Sequence, residues 1–175
     1  MSDNLTLYTV GHSNVPIDVL LGILSSAGIK TLADVRRYPA SRRNPQFNGG
    51  RLAESLANLG IAYQHFEALG GRRDPVEASV NAAIREAQFR GYADHMATPE
   101  WNQTLTDVLE IAAQAPTAVM CAEALPFKCH RSLLSDAAVA RGVRVVHLIG
   151  GTQREHELSP LAKVDDGIVT YPALL

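Results

Sequence analysis

Five short apolar runs, each set off from the next by segments of helical or loop character, constrain this chain more than any other feature. They span residues 5–10, 31–35, 61–66, 117–121 and 143–149. Their length and apolar, partly β-branched content are those of buried strands. Between the first two, Ile17, Leu20, Leu21 and Leu24 recur at the spacing of one helix face. Leu105, Val108, Leu109 and Ala112 do the same after Thr98-Pro99-Glu100, which reads as a hydroxyl cap, a first-position proline and a first-turn acid. Asn14 is expected to cap the first helix, and Gly28 to end it. Further helices are expected over 52–59 and 129–141, stopped by Gly60 and Gly142, with one or two more within 76–97 divided near Gly91. Strands alternating with helices imply βαβ units, and hence a single α/β domain with a mainly parallel sheet of about five strands flanked by helices. Residues 151–175 show little periodicity and are expected to pack as a tail.

A parallel sheet places every strand's carboxyl end on one edge, where ligands bind and helix N-termini present free N–H groups. That edge receives the chemically richest stretch of the chain. The run 117–121 delivers Cys121 and Glu123 to a strand end, a Pro-containing loop follows, and Cys129, His130 and Arg131 open the next helix. His12, Ser13 and Asn14 follow the first strand, and Asp34 and Arg36 follow the second.

Each group admits more than one role. Cys129, beside Lys128, His130 and Arg131 at a helix start, has reasons to ionise easily. It could be a nucleophile, a redox sensor or a metal ligand, or a small inert hydrophobe like most free cysteines. Cys121, inside an apolar strand, fits the core. Glu123 fits a general acid or base, or an ion pair with Arg36 or Arg131. A cation such as Arg131 is disfavoured at a helix N-terminus unless an anion lies there, which suggests a phosphate. His12 could be a base, a hydrogen-bond donor or a satisfied polar group. The site therefore takes His12, Glu123 and Cys129 as catalytic candidates, and Ser13, Asn14, Asp34, Arg36, Arg42, Arg43, Cys121, His130 and Arg131 as substrate-binding ones.

The charge distribution points to the kind of substrate. Residues 36–73 carry seven arginines against two acids, a balance of +5 in a chain whose net charge is −2. Thirteen of the sixteen basic residues are Arg, the side chain suited to bidentate phosphate contact. Tyr38, Phe47 and Tyr63 interleave with them, as stacking residues would. A local anion-binding patch follows, and the partner expected is a phosphorylated small molecule or a nucleic acid. The arginines between 37 and 50 lie in a loop rich in Pro, Gly and Asn, of a length that is usually functional in a compact domain.

Several classes are excluded or disfavoured. No apolar run approaches the roughly 18 residues that span a bilayer. The polar start, Met1-Ser-Asp-Asn4, does not read as a signal peptide, and two cysteines make no disulfide framework, so a cytoplasmic setting is expected. No dinucleotide fingerprint or P-loop is present, and no cofactor is implied. The Cys-x7-Cys spacing is unlike compact zinc ligand pairs, so no metal is assigned. A tyrosine-phosphatase loop fails, because the arginine it requires is Phe127 counted from Cys121 and Ser135 counted from Cys129. The oligomeric state is left unassigned.

Taken together, Thr9-Val-Gly-His-Ser-Asn14, Asp34-Val-Arg36 with Pro39 and Ser41-Arg-Arg-Asn-Pro-Gln-Phe-Asn48, Leu69-Gly-Gly-Arg72, Phe89-Arg-Gly-Tyr-Ala93, and Met120-Cys-Ala-Glu123 with Cys129-His-Arg131 resemble one bacterial and archaeal family, domain of unknown function 488. The resemblance runs over about residues 7–149. It implies a single α/β domain whose shared polar motifs fall at the strand ends, and it implies no particular reaction. The leading expectation is an enzyme acting on a phosphate-bearing substrate. A non-catalytic nucleic-acid-binding or regulatory module and a thiol sensor using Cys129 and Cys121 are the alternatives.

Overall fold

The computed structural model describes residues 5–174; residues 1–4, read above as a polar lead, and residue 175 lie outside the described residues. The chain runs β1 (Thr6–Gly11), α1 (Ile17–Ser26), β2 (Thr31–Asp34), α2 (Gly49–Ala57), β3 (Ala62–His65), α3 (Ala87–His95), α4 (Pro99–Gln114), β4 (Thr117–Cys121), α5 (Arg131–Ala140) and β5 (Arg144–Ile149). It continues through β6 (Thr152–Glu155), β7 (Lys163–Asp165) and β8 (Ile168–Thr170). The main sheet has six strands in the order β3-β2-β4-β1-β5-β6. Its first five are mutually parallel, and β6 closes the edge antiparallel to β5.

The strand order determines where a ligand can sit. β1 and β4 are neighbours, paired from Tyr8↔Ala118 to Gly11↔Cys121. From β1 the chain crosses through α1 to β2 on one side, and from β4 it crosses through α5 to β5 on the other. The connections diverge, so a crevice opens beyond the carboxyl ends of this central pair.

Both faces of the sheet are covered, which is why β4 is buried along all five of its residues. Leu20 and Leu24 of α1 and Leu52 and Leu56 of α2 pack on Val10, Leu32, Ala118 and Met120. On the opposite face Tyr92, Trp101, Leu105, Val108 and Leu134 from α3, α4 and α5 pack on Leu7, Val119 and Val145. The cap at α4 is as the sequence predicts: Thr98 Oγ1 accepts from the Trp101 N–H at 3.3 Å. The cap at α1 is not, since Pro16 occupies that position and the Asn14 side chain is not used there.

Two segments differ from expectation. The region 76–97 forms one helix, α3, which runs through Gly91 instead of breaking there. A Cβ at Gly91 would overlap the Arg73 carbonyl oxygen, so glycine serves a close tertiary approach. Residues 151–175 are more regular than a tail: β6 pairs with β5, and β7 and β8 form a hairpin about Asp166 (φ 51°) and Gly167 (φ 77°). Tyr171 beyond it is 1% exposed.

A directional chain of buried hydrogen bonds ties this C-terminal segment to the sheet. Arg131 Nη1 donates to Thr9 Oγ1 at 3.0 Å, and Thr9 Oγ1 lies 2.6 Å from His147 Nδ1. His147 Nε2 is 2.9 Å from His156 Nδ1, and His156 Nε2 is 2.7 Å from Asp136 Oδ1. Asp136 also accepts from the Tyr171 hydroxyl at 2.7 Å and the Ser159 N–H at 3.0 Å. The chain begins at a cation and ends at a carboxylate, with a neutral His147 held between the Thr9 hydroxyl and His156. Asp136→Asn replaces one acceptor oxygen by a donor, so one partner is left mismatched. The expected loss is about 2 kcal/mol, read in thermal unfolding as a Tm lower by about 4–8 °C. An unchanged Tm would show that the chain does not hold the segment.

Candidate functional site

The crevice at the β1/β4 ends is a cleft of about 610 Å³. The loop after β1 continues the strand pairing: the His12 N–H donates to the Cys121 carbonyl at 3.0 Å and the Ser13 N–H to that of Ala122 at 2.8 Å. This brings His12 and Ser13 against the loop after β4. Arg36, following β2, closes the third side. Of the candidates named from sequence, His12, Ser13, Asn14 and Arg36 line one wall, and Cys121, Glu123, Cys129 and His130 line another.

Four candidates lie elsewhere. Asp34 is fully buried beneath the cleft floor, where both its oxygens are engaged. Arg42 and Arg43 are exposed on the outer side of their loop, away from the cleft. Arg131, expected to hold an anion, is 0% exposed and faces inward. Its Nη2 donates to the Glu123 carbonyl at 2.8 Å and lies 3.3 Å from that of Ala124, so it braces the loop from behind. A side chain at the first helical position that turns under the helix meets the sheet, and spacing alone did not show that direction.

Arg36 is fixed before any ligand arrives. Its Nε and Nη2 donate to the two Asp34 oxygens at 2.9 and 2.7 Å, and Nη2 also reaches the Phe47 carbonyl at 2.8 Å. Tyr63 donates to the same carboxylate at 2.6 Å. The remaining Nη1 lies 3.4 Å from His12 Nε2. The His12 Nδ1–H donates to the Ser13 carbonyl at 2.7 Å, leaving Nε2 as an acceptor, and the ring stacks on Phe47 at 4.4 Å. Burial lowers the His12 pKa; the bond to Ser13 opposes this, and the Arg36 charge reinforces it. His12 is therefore a neutral imidazole with a lone pair facing the cleft side of Arg36. Phe47 is buried and Tyr63 is bonded to Asp34, so of the three interleaved aromatics only Tyr38 is exposed for stacking.

The two cysteines are the most unusual pair. Cys121 ends β4, Cys129 lies on the loop just before α5, and their sulfurs are 3.0 Å apart. The Arg131 N–H, among the first of α5, points at Cys129 Sγ at 3.4 Å. The hydrogen bond from Cys121 brings the Cys129 pKa below that of an ordinary thiol; burial opposes this, and the Arg131 charge assists. The same bond and burial push the Cys121 thiol up. The proton between them is thus drawn towards Cys121, and Cys129 is the more acidic of the two sulfurs.

Glu123 and His130 take structural or peripheral positions. Glu123 is exposed at the rim, and among the described residues it makes no ion pair with Arg36 or Arg131; its backbone carbonyl, not its carboxylate, meets Arg131. His130 Nε2–H donates to the Val35 carbonyl at 3.0 Å, pinning the start of α5 to the end of β2, and burial depresses its pKa to about 4.

Three further cleft residues were not singled out from sequence. Arg37 lies with its Nη1 donating to the Arg72 carbonyl at 2.6 Å; among the described residues its buried Nε–H has no partner, and the same holds for that of Arg131. Arg72 sits at φ 58°, a left-handed conformation unusual for a side chain of its size. Lys128 is exposed at the rim of the same cleft. The signal for the two arginines was the excess between 36 and 73, which marked the region without ranking its members.

Among the described residues, no group of three or more His, Cys, Asp or Glu side chains is arranged to hold a metal ion, and no helix is long and apolar enough to cross a membrane. The architecture is that of an α/β protein with a thiol pair at the divergence of its central strands. A family model, domain of unknown function DUF488, matches residues 16–138, and the chain belongs to that family. Among curated proteins and solved structures nothing matches the chain. The family match covers Arg36, Cys121 and Cys129 and leaves out His12 and the C-terminal strands.

Proposed function

We propose that this protein is an enzyme that takes a phosphate-bearing substrate, a nucleotide or a piece of nucleic acid, into the cleft, where the Cys129 sulfur attacks phosphorus as the P–O bond to the leaving group breaks, the departing alkoxide taking a proton from solvent. The observation that carries the reading is the meeting of Cys129, His12, Arg37 and Arg72 on one cavity. Arg37, Arg72 and Lys128 meet the anion, since Arg36 is already neutralised by Asp34. His12, neutral with Nε2 free of a proton, accepts one from the bound water that then attacks phosphorus and displaces the Cys129 sulfur, and Glu123 at the rim is available for a second transfer. A cavity of about 610 Å³ is of the size that takes a small ligand or a short piece of chain.

Turnover of phosphorylated small molecules and oligonucleotides tests this. With an active substrate, Cys129→Ser abolishes turnover and His12→Gln lowers kcat by about 10²–10⁴-fold, whereas Arg72→Ala acts mainly on KM. Full activity of Cys129→Ser would remove the nucleophile. Salt-sensitive binding of oligonucleotides with no turnover at all would favour a non-catalytic module, for which exposed Tyr38 beside Arg37 is the one supporting feature.

A further inference from the structure

The cysteine pair has a capacity that nucleophilic attack alone does not use. A disulfide is about 2.05 Å long, and the two sulfurs already lie 3.0 Å apart within one cavity wall. One partner is anchored and the other is not. Cys121 is held in register opposite Gly11 at the end of a central strand. Cys129 sits between the turn at Pro126–Lys128 and the start of α5, in extended backbone (φ −147°, ψ 172°), outside any ladder or helix. Closing the gap therefore asks a short loop to move and leaves the sheet intact. Cys129 is 6% and Cys121 2% exposed, so the pair is reached only through the cleft, by a small reagent.

We propose that Cys121 and Cys129 are a reversible dithiol–disulfide couple, oxidised by hydroperoxides that enter the cleft and reduced by an external dithiol. In the first step the Cys129 thiolate attacks the distal oxygen of the hydroperoxide. The O–O bond breaks, a sulfenic acid forms on Cys129, and the alkoxide leaves as an alcohol after taking a proton. In the second step Cys121 gives up its proton as its sulfur attacks the Cys129 sulfur. The S–S bond forms, the S–O bond breaks, and the hydroxyl leaves with that proton as water. Two thiols and one hydroperoxide become one disulfide, one alcohol and one water. Cys129 is the attacking sulfur because, of the two, it is the one at which a backbone N–H, that of Arg131, points. Cys121 resolves because it is the nearest thiol and holds the proton that departs. A consequence rests on the function proposed above: the disulfide consumes the nucleophile, so oxidation silences that reaction and reduction restores it.

Intact-mass measurement after near-stoichiometric hydrogen peroxide tests the couple without reference to turnover. The whole protein should become lighter by two hydrogens, lose both alkylatable thiols and recover them with dithiothreitol. Cys121→Ser should instead accumulate a Cys129 sulfenic acid captured by dimedone, and Cys129→Ser should stay unmodified under the same exposure. If the wild-type chain keeps two alkylatable thiols, or gains oxygen at Cys129 without forming the disulfide, the proposal is overturned. Formation of the disulfide in a protein that turns over no phosphorylated substrate would leave the couple standing and remove the enzymatic reading instead.

Discussion

Gly11→Ala is expected to destabilise the protein by about 3–5 kcal/mol and to pull the cleft apart. Gly11 is the last residue of β1, paired with Cys121. A Cβ there would overlap the Glu123 carbonyl and lie 2.9 Å from Ala124 Cα. Both neighbours are backbone, so no side-chain rotation relieves the overlap, and the loop after β4 must move as a unit. Moving it breaks the bonds from the His12 and Ser13 N–H groups to Cys121 and Ala122, and the charged bond from Arg131 to Glu123. Two neutral hydrogen bonds and one charge-assisted bond, each left unmade in a buried setting, account for the magnitude. Urea unfolding should show a lower midpoint with the slope unchanged. Gly50→Ala is the matching control, because a Cβ in that first turn of α2 meets open space and alanine is the better helix former. A midpoint for Gly11→Ala equal to that of the control would mean that the β1 end and the Glu123 loop are not in contact.

The same junction explains why much of the site was legible in the sequence. Short apolar runs bounded by glycine, alternating with amphipathic stripes, allow few architectures, and a parallel sheet sends His12, Arg36, Cys121 and Cys129 to one edge whatever the strand order. The direction of each side chain was not legible. Arg131 stands next to Cys129 and His130 in the sequence, yet it turns under the helix towards Thr9, a partner 122 positions away. Asp34 and Arg36 read as two candidates for one site, but their pairing removes the acid from the cleft and halves the arginine's freedom. Gly91 reads as a helix breaker because the backbone of Arg73 that it accommodates is distant in character and invisible to periodicity. The C-terminal hairpin is a different failure. Asp166-Gly167 is a strong turn signal, but the flanking three-residue strands are mostly exposed and carry no apolar run long enough to mark them.

Acidification is the second large effect, and its sign follows from the histidines. Burial depresses the His130 pKa to about 4 and the His147 pKa to about 3, the latter helped by the His156 and Arg131 charges, against 6.5 for a free imidazole. The unfolded chain therefore takes up protons first as pH falls below 6.5. Stability from these groups is complete above that value, declines through pH 6 to 4, and is lost by about pH 3. Burial depresses His12 and His95 as well, which adds loss in the same direction. By pH 4 the loss is on the order of 5 kcal/mol, comparable to the whole stability of many domains. The geometry gives the reason: a proton on His147 Nδ1 would point at the Thr9 hydroxyl, which must then turn towards the Arg131 N–H that donates to it. Urea titrations at intervals from pH 7.5 to 4.5 should show stability falling by up to about 2.5 kcal/mol per pH unit near pH 5.5. In His147→Gln, which can still accept from one side and donate to the other, the slope should drop by about 1.4 kcal/mol per pH unit, the uptake of one proton. Stability that stays level from pH 7 to 5 in the wild-type chain would contradict a neutral His147 and a neutral His130 in the folded protein.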